Sequence, residues 1–191
     1  MNIRALILAT SVVLLGACSS PQEQLIDFTP EMISPSSANT AQHSIVISSR
    51  DTRKAQYVAV IDTGKSRFEP IHAKQNIRTT LEKTITNYFA SQGYQSTKHS
   101  DNTIEIELKE ALVSVRHSVL ENEMTANITL SITAETPNGK LVRTYKGNTN
   151  QTSALSALNS DISELLNNTM NLVLKEMSQD KKLQHYMKER F

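Results

Sequence analysis

The chain has 191 residues, 20 Lys+Arg against 19 Asp+Glu, a hydrophobic fraction of 38%, one cysteine and no tryptophan. A single cysteine excludes an intrachain disulfide and a Cys-rich metal site, and the near-neutral charge argues against a nucleic-acid binder that works by phosphate neutralisation. The length suits one domain with a tail.

Residues 1–18 read MNIRALILATSVVLLGAC. Arg4 supplies a positive start, and Ala5 to Leu15 is an uncharged, mostly apolar run. It is too short to cross a bilayer core, which takes about 20 residues, and it has the length of a signal-peptide core. Leu15-Gly16-Ala17-Cys18 then sets small residues before a cysteine. This order resembles the bacterial lipobox, in which the cysteine sulfur receives diacylglycerol, the signal is cut between Ala17 and Cys18, and the new amine is acylated. Residues 1–17 are therefore expected to be a lipoprotein signal peptide. One acyl chain anchors only marginally, whereas two or three hold durably. The residue after Cys18 is Ser19, not Asp. By resemblance to enterobacterial-type lipoproteins, this favours the outer membrane over the inner one. Loss of Arg4 with the signal lowers the formal charge from +1 to zero.

Residues 18–43 then form a Pro/Ser-rich tether, with Pro21, Pro30 and Pro35. Such a length reaches ~80 Å when extended, or ~25–30 Å as a coil. Two readings remain for its apolar members Leu25, Ile26, Phe28, Met32 and Ile33. They belong to a free linker, or they pin an extended segment onto the domain.

Residues 44–191 are expected to form a single α+β periplasmic domain. His43 to Ser48 and Gln56 to Asp62 are β-branched runs, apolar on successive residues, which suits strands covered on both sides. Between them Asp51-Thr52-Arg53-Lys54 is a polar connection. Gly64-Lys65-Ser66 recurs in phosphate loops, but the first glycine of that motif falls on Ala59, so a solvated turn is expected. Pro70 to Ser91 predicts a helix whose stripe is Ile77, Leu81, Ile85, Tyr88 and Phe89, stopped by Gly93, with Tyr94 folding back on its last turn. Asn102 to Val115 alternates as a strand with a phase slip near Lys109-Glu110, the mark of a β-bulge. Thr125 to Glu135 alternates cleanly, with even-numbered residues inward and Thr125, Asn127, Thr129, Ser131, Thr133 and Glu135 outward. Pro137-Asn138-Gly139 turns the chain into an antiparallel return over Lys140 to Gln151. Ala154 to Met177 is mostly helical: Leu155 and Leu158 start it, Asp161 with Glu164 resembles a capping box that restarts it there, and the buried stripe is Ile162, Leu165, Leu166, Thr169, Leu172, Val173 and Met177. Asp180 caps a last helix over Lys181 to Arg190, carrying Leu183, Tyr186 and Met187. The expected fold is a mostly antiparallel (mixed) sheet with helices packed on one face, in the order β-β-α-β-β-β-α-α.

The lipobox, the Pro-rich leader, the helix ending Ser91-Gln92-Gly93-Tyr94, the Asn138-Gly139-Lys140 hairpin and the helix ending Met177-Ser178-Gln179-Asp180 follow one another in an order that resembles the YajG family of small lipoproteins of Gram-negative bacteria. The resemblance spans nearly the whole chain. It implies an outer-membrane lipoprotein facing the periplasm, and brings no activity and no functional residues.

No catalytic, cofactor or metal residues are expected. His43, His72, His99, His117 and His185 have no ligand spacing. Glu105 and Glu107 share a strand face, but beside Thr103 and Lys109 they read as wet surface rather than as the buried acid a hydrolase needs. Lys181, Lys182, Lys188 and Arg190 make a basic helix end. The expected function is a non-enzymatic binding or accessory protein of the cell envelope, attached to the membrane through Cys18 and partnered by an envelope protein or peptidoglycan, not nucleic acid. Alternatives are a peptidoglycan-binding or cell-wall-processing protein, and an accessory that lends the His43–Ser48 strand to a partner's sheet.

Overall fold

A computed structural model describes residues 24–32, 43–62, 64, 67–117, 121–153 and 158–191. The predicted signal, the cleavage pair Ala17–Cys18 and Ile33 lie outside them. Its frame is an antiparallel meander of three 15-residue strands, β6 (Thr103–His117), β7 (Asn122–Thr136) and β8 (Gly139–Ser153). Eight strands and three helices are present among the described residues, and the fold is α+β. The two-residue turn Pro137-Asn138 sets the β7–β8 register, Thr136 opposite Gly139. Gly139 sits at φ 144°, a conformation that costs a residue without a Cβ nothing.

The inward residues of this meander are those the alternation predicts. Ile104, Ile106, Leu108, Ala111, Val113 and Val115 on β6 are buried, as are Ala126, Ile128, Leu130, Ile132 and Ala134 on β7. Each large apolar side chain removed from water in this way contributes roughly 1.5–3 kcal/mol. The phase change from even to odd numbers on β6 is a real bulge: Leu108 pairs with Leu130 and Glu110 with Thr129, leaving Lys109 as the extra residue.

The second edge of β6 is shared. β2 (His43–Asp51) runs parallel to its first half, and β3 (Ala59–Asp62) runs parallel to its second half. β3 pairs antiparallel with β4 (Phe68–Ala73), and β4 pairs parallel with β1 (Leu25–Ile26). β5 (Tyr94–Ser96) closes the far edge of β2 in parallel. The sheet is thus mixed, antiparallel through the long meander and parallel where β2 and β3 join it. Three short strands, β1, β4 and β5, are the elements that the expected order lacks.

Helices α1 (Ile77–Ser91), α2 (Asn159–Ser178) and α3 (Lys181–Arg190) cover one face. The predicted α1 stripe is the buried one. The helix starts later than Pro70, because Asn76 caps it by accepting from Thr79 N at 3.1 Å. Residues 68–73 are drawn instead into pairing with β3. Gly93 adopts φ 91° after the helix, and Tyr94 packs edge-on to Phe89. In α2 the stripe is Ile162, Leu165, Leu166, Thr169, Met170, Val173, Leu174 and Met177, whereas Leu172 is exposed. Helix α2 starts at Asn159; the predicted start, 154–157, lies outside the described residues. Asp161 does not restart it but sits in its first turn and accepts from Leu158 N at 3.1 Å. Gly147 on β8 lets α2 approach: a Cβ there would meet Val173 Cγ2 at 2.8 Å and Thr169 Cγ2 at 2.9 Å. Among the runs expected to be covered on both sides, β2 buries Ile45 while Val46 and Ile47 are only half-buried.

Of the two readings of the apolar leader, the pinned one holds for residues 24–32. Ile26 and Phe28 are fully buried. Backbone groups of the segment are claimed one after another: Lys74 N donates to Ile26 O at 2.9 Å, Gln75 Oε1 accepts from Phe28 N, and Asn167 and Asn171 of α2 accept from Thr29 N and Glu31 N, all three at 2.8 Å. Ser163 Oγ and Asn167 Nδ2 donate to Asp27 O at 2.7 and 2.9 Å.

Helix α3 is held by one carboxylate. Asp180 accepts from Lys182 N and Leu183 N as a cap, from Arg143 Nε at 2.5 Å and from the buried Tyr145 hydroxyl at 2.9 Å. Burial alone would raise the Asp180 carboxyl. The bonds from Arg143, Tyr145 and the two N–H groups outweigh it and hold the carboxyl below its ordinary range. Burial, reinforced by Asp180, pushes the Tyr145 hydroxyl strongly up.

Two outcomes follow for stability. Phe28→Ala should cost about 3–5 kcal/mol, as for a core aromatic, read as a fall in the urea midpoint at an unchanged slope; a free linker residue would leave the midpoint where it is. Asp180→Asn should cost about 2 kcal/mol at pH 7 by removing the charged bonds. Because the folded carboxyl titrates below the unfolded one, this contribution is complete above the unfolded value and is lost as pH falls through the folded one. The two proteins' urea midpoints should therefore converge in acid.

Candidate functional site

The bulge at Lys109 lies opposite the gap between β2 and β3, and the connection between those strands arches over it. Thr52 N still donates to Leu108 O, and Val58 rejoins the sheet through Ile71 O and Val113 N. The arch between is fastened by Arg53, whose side chain is only 5% exposed. Its Nε and Nη2 donate to the two Asp51 oxygens, both at 2.9 Å, and Nη1 donates to Tyr57 O at 3.2 Å. Burial would raise the Asp51 carboxyl, but the Arg53 bonds and charge prevail and hold it low.

Between arch and sheet, on the face away from the helices, is a cleft of about 440 Å³. Tyr57, Ala111 and Leu112 give it apolar wall, and Thr129 a hydroxyl. Three lysines reach it from three separate segments: Lys54 from the arch, Lys109 from the bulge and Lys146 from β8. The acid within it, Glu110, accepts from Thr129 Oγ1 at 3.3 Å. Lys109 Nζ lies 3.2 Å from Glu107 Oε2. Lysine ammoniums are compact charges on flexible stems, suited to attracting an anion without fixing its plane. Lysines from three segments beside an apolar wall can hold an anion.

The residues weighed from sequence fall elsewhere. Glu105 and Glu107 lie on the sheet's outer face in an ion-pair ladder, with Arg50 Nε 2.7 Å from Glu105 and Arg50 Nη2 3.8 Å from Glu107. His43 meets the Phe191 carbonyl at 3.3 Å and His117 meets Asn122. Among the described residues no group of three His, Cys, Asp or Glu could hold a metal, and no helix is long and apolar enough to cross a membrane. Gly64 takes φ 70° in a turn, with Asp62 Oδ1 accepting its N–H; Lys65 and Ser66 lie outside the described residues. The His43–Ser48 run already has strand partners, β5 for His43–Ile45 and β6 for Val46–Ser48. Ser131 was expected on the wet face, yet it is buried, its hydroxyl engaged with Arg143 O and Thr144 Oγ1. Sequence reading missed Lys54, Tyr57 and Lys146 as partners in one cleft, because only sheet register joins positions so far apart. It also missed Ser163, Asn167 and Asn171, the clamp on the leader. The bulge signal near Lys109 was the one pointer available.

Comparison with known proteins agrees with the family expected from sequence. A crystal structure of a Xanthomonas campestris protein of the DUF330 family model matches with a TM-score of 0.59 at 10% identity, over 87% of this chain and 98% of that one; at that identity it speaks for the fold alone. The uncharacterized lipoprotein YajG of Escherichia coli O6:H1 is 20% identical over 181 residues, 94% of this chain and 93% of the relative. A family model described as uncharacterized lipoprotein matches residues 30–188. The chain belongs to this YajG family of lipoproteins.

Proposed function

We propose that this chain is a lipid-anchored, non-enzymatic binding protein of the cell envelope. Cys18, N-acylated and carrying S-diacylglycerol after cleavage behind Ala17, holds it at the outer membrane, and the domain faces the periplasm. Membership in a lipoprotein family and the lipobox order around Cys18 support the anchor. The observation that carries the binding role is the cleft beneath the arch, where Lys54, Lys109 and Lys146 line an apolar wall together with a single acid, Glu110. An anionic envelope component suits it, since three ammonium groups in a half-enclosed site raise the local concentration of an anion.

Two measurements test this. Expressed in a Gram-negative host, the chain should sediment with outer-membrane fractions, and Cys18→Ser should leave it unprocessed and absent from them; a Cys18→Ser protein still processed and lipid-bound defeats the anchor. The unlipidated domain should be retained on isolated sacculi or on vesicles containing phosphatidylglycerol, leaving muropeptides unchanged. Lys54→Glu, Lys109→Glu and Lys146→Glu together should abolish that retention. A changed muropeptide profile would make the protein a cell-wall enzyme instead.

A further inference from the structure

Sheet register places several chain ends on one side of the molecule. Phe68 starts β4 opposite Asp62, Asp62 pairs with Arg116, Arg116 with Glu123, and Glu123 with Thr152. The β3–β4 and β6–β7 turns and the exit of β8 therefore share one end of the fold. Strand β1 runs parallel to β4 with Leu25 opposite His72, so the chain enters β1 from that same end. Leu158 opens α2 five residues after β8 finishes at Ser153. From there α2 runs away alongside the leader, Ser163 bonded to Asp27 and Asn171 to Glu31.

The pinned leader leaves a short tether. From Cys18 to Leu25 the chain takes seven residue steps, which span at most about 24 Å however they are arranged. From His72 to Phe68 the strand rises four residues, about 14 Å. A lipid on Cys18 can thus stand no more than about 10 Å beyond Phe68. A domain so closely held meets the bilayer with this end.

The same end carries exposed apolar side chains. Phe68 is 65% exposed and Leu158 61%, and Leu25, on the approach, is 37% exposed. Charges of both signs lie near Phe68, Arg67 and Arg116 with Asp62, Glu69 and Glu123, so headgroup attraction is not the driving term there. Exposed Phe and Leu side chains gain by entering the boundary between headgroups and acyl chains. We propose that this end is a membrane-contact surface, in which Phe68 and Leu158 enter the interface of the bilayer that holds the lipid anchor. The proposal rests on Cys18 being the lipid-bearing residue.

The chain contains no tryptophan, so a single introduced indole reports alone. The lipidated full chain is reconstituted in vesicles of phosphatidylethanolamine and phosphatidylglycerol with brominated acyl chains. Phe68→Trp, and independently Leu158→Trp, should shift to the blue and lose most of their emission to the bromines. Val142→Trp, at a position 52% exposed near the opposite hairpin, should keep solvent-like, unquenched emission. If the protein floats with the vesicles while Phe68→Trp and Leu158→Trp stay unquenched, or all three are quenched alike, the contact surface is refuted and the anchor stands. If the protein does not float, both fail.

Discussion

The inward face of the β6–β7–β8 meander is the constraint on which the rest depends. The alternating residues of β7, those of β6 on either side of its bulge and Tyr145 of β8 present one broad apolar surface, and that surface must be covered. Helix α2 covers most of it, made possible where Gly147 admits the helix backbone and side chains closely. Helix α1 covers the neighbouring strands β2 and β5. Helix α3 contributes little apolar surface of its own, Leu183 and Met187. It is tied to β8 by the Asp180 carboxylate, which joins the α3 cap to Arg143 and Tyr145, and by the Tyr186 hydroxyl, which donates to Gly139 O.

The bulge at Lys109 has consequences beyond β6. One inserted residue changes which side chains point inward and twists the strand locally. Two shorter strands then share the opposite edge, β2 before the bulge and β3 after it, and the chain between them must cross outside the sheet. Arg53 holds that crossing in shape by tying Asp51 to Tyr57 O. The cleft is what remains between crossing and sheet. A packing irregularity within one strand and the proposed binding surface thus have the same origin.

Packing of the leader changes the geometry of anchoring. A 25-residue tether would leave the domain free to sample distances of tens of ångströms. With Ile26 and Phe28 in the core, residues 24–32 become part of the body, and the proposed anchor would hold that body on a shorter tether.

The strongly periodic elements were legible from sequence: the α1 stripe, the β7 alternation, the β6 phase slip, the Asn-Gly turn and the Asp180 cap. Each is decided by neighbours a few residues away, through side-chain period, backbone conformation or a local hydrogen bond. The lipoprotein family was legible for a similar reason, since the motifs that carry the resemblance are contiguous stretches. What tertiary structure decided is everything that joins distant positions. Pro70 to Ala73 reads locally as the start of a helix and becomes part of β4 only because β3 is there to pair with it. Leu25 and Ile26 look like part of a tether until β4 and the α2 asparagines claim their segment. Lys54, Lys109 and Lys146 are three ordinary surface lysines until register brings them to one cleft. Local physics specifies elements, whereas the pairing of strands and the burial of their shared face specify a site, because hydrogen bonding across a sheet joins residues that the chain itself keeps far apart.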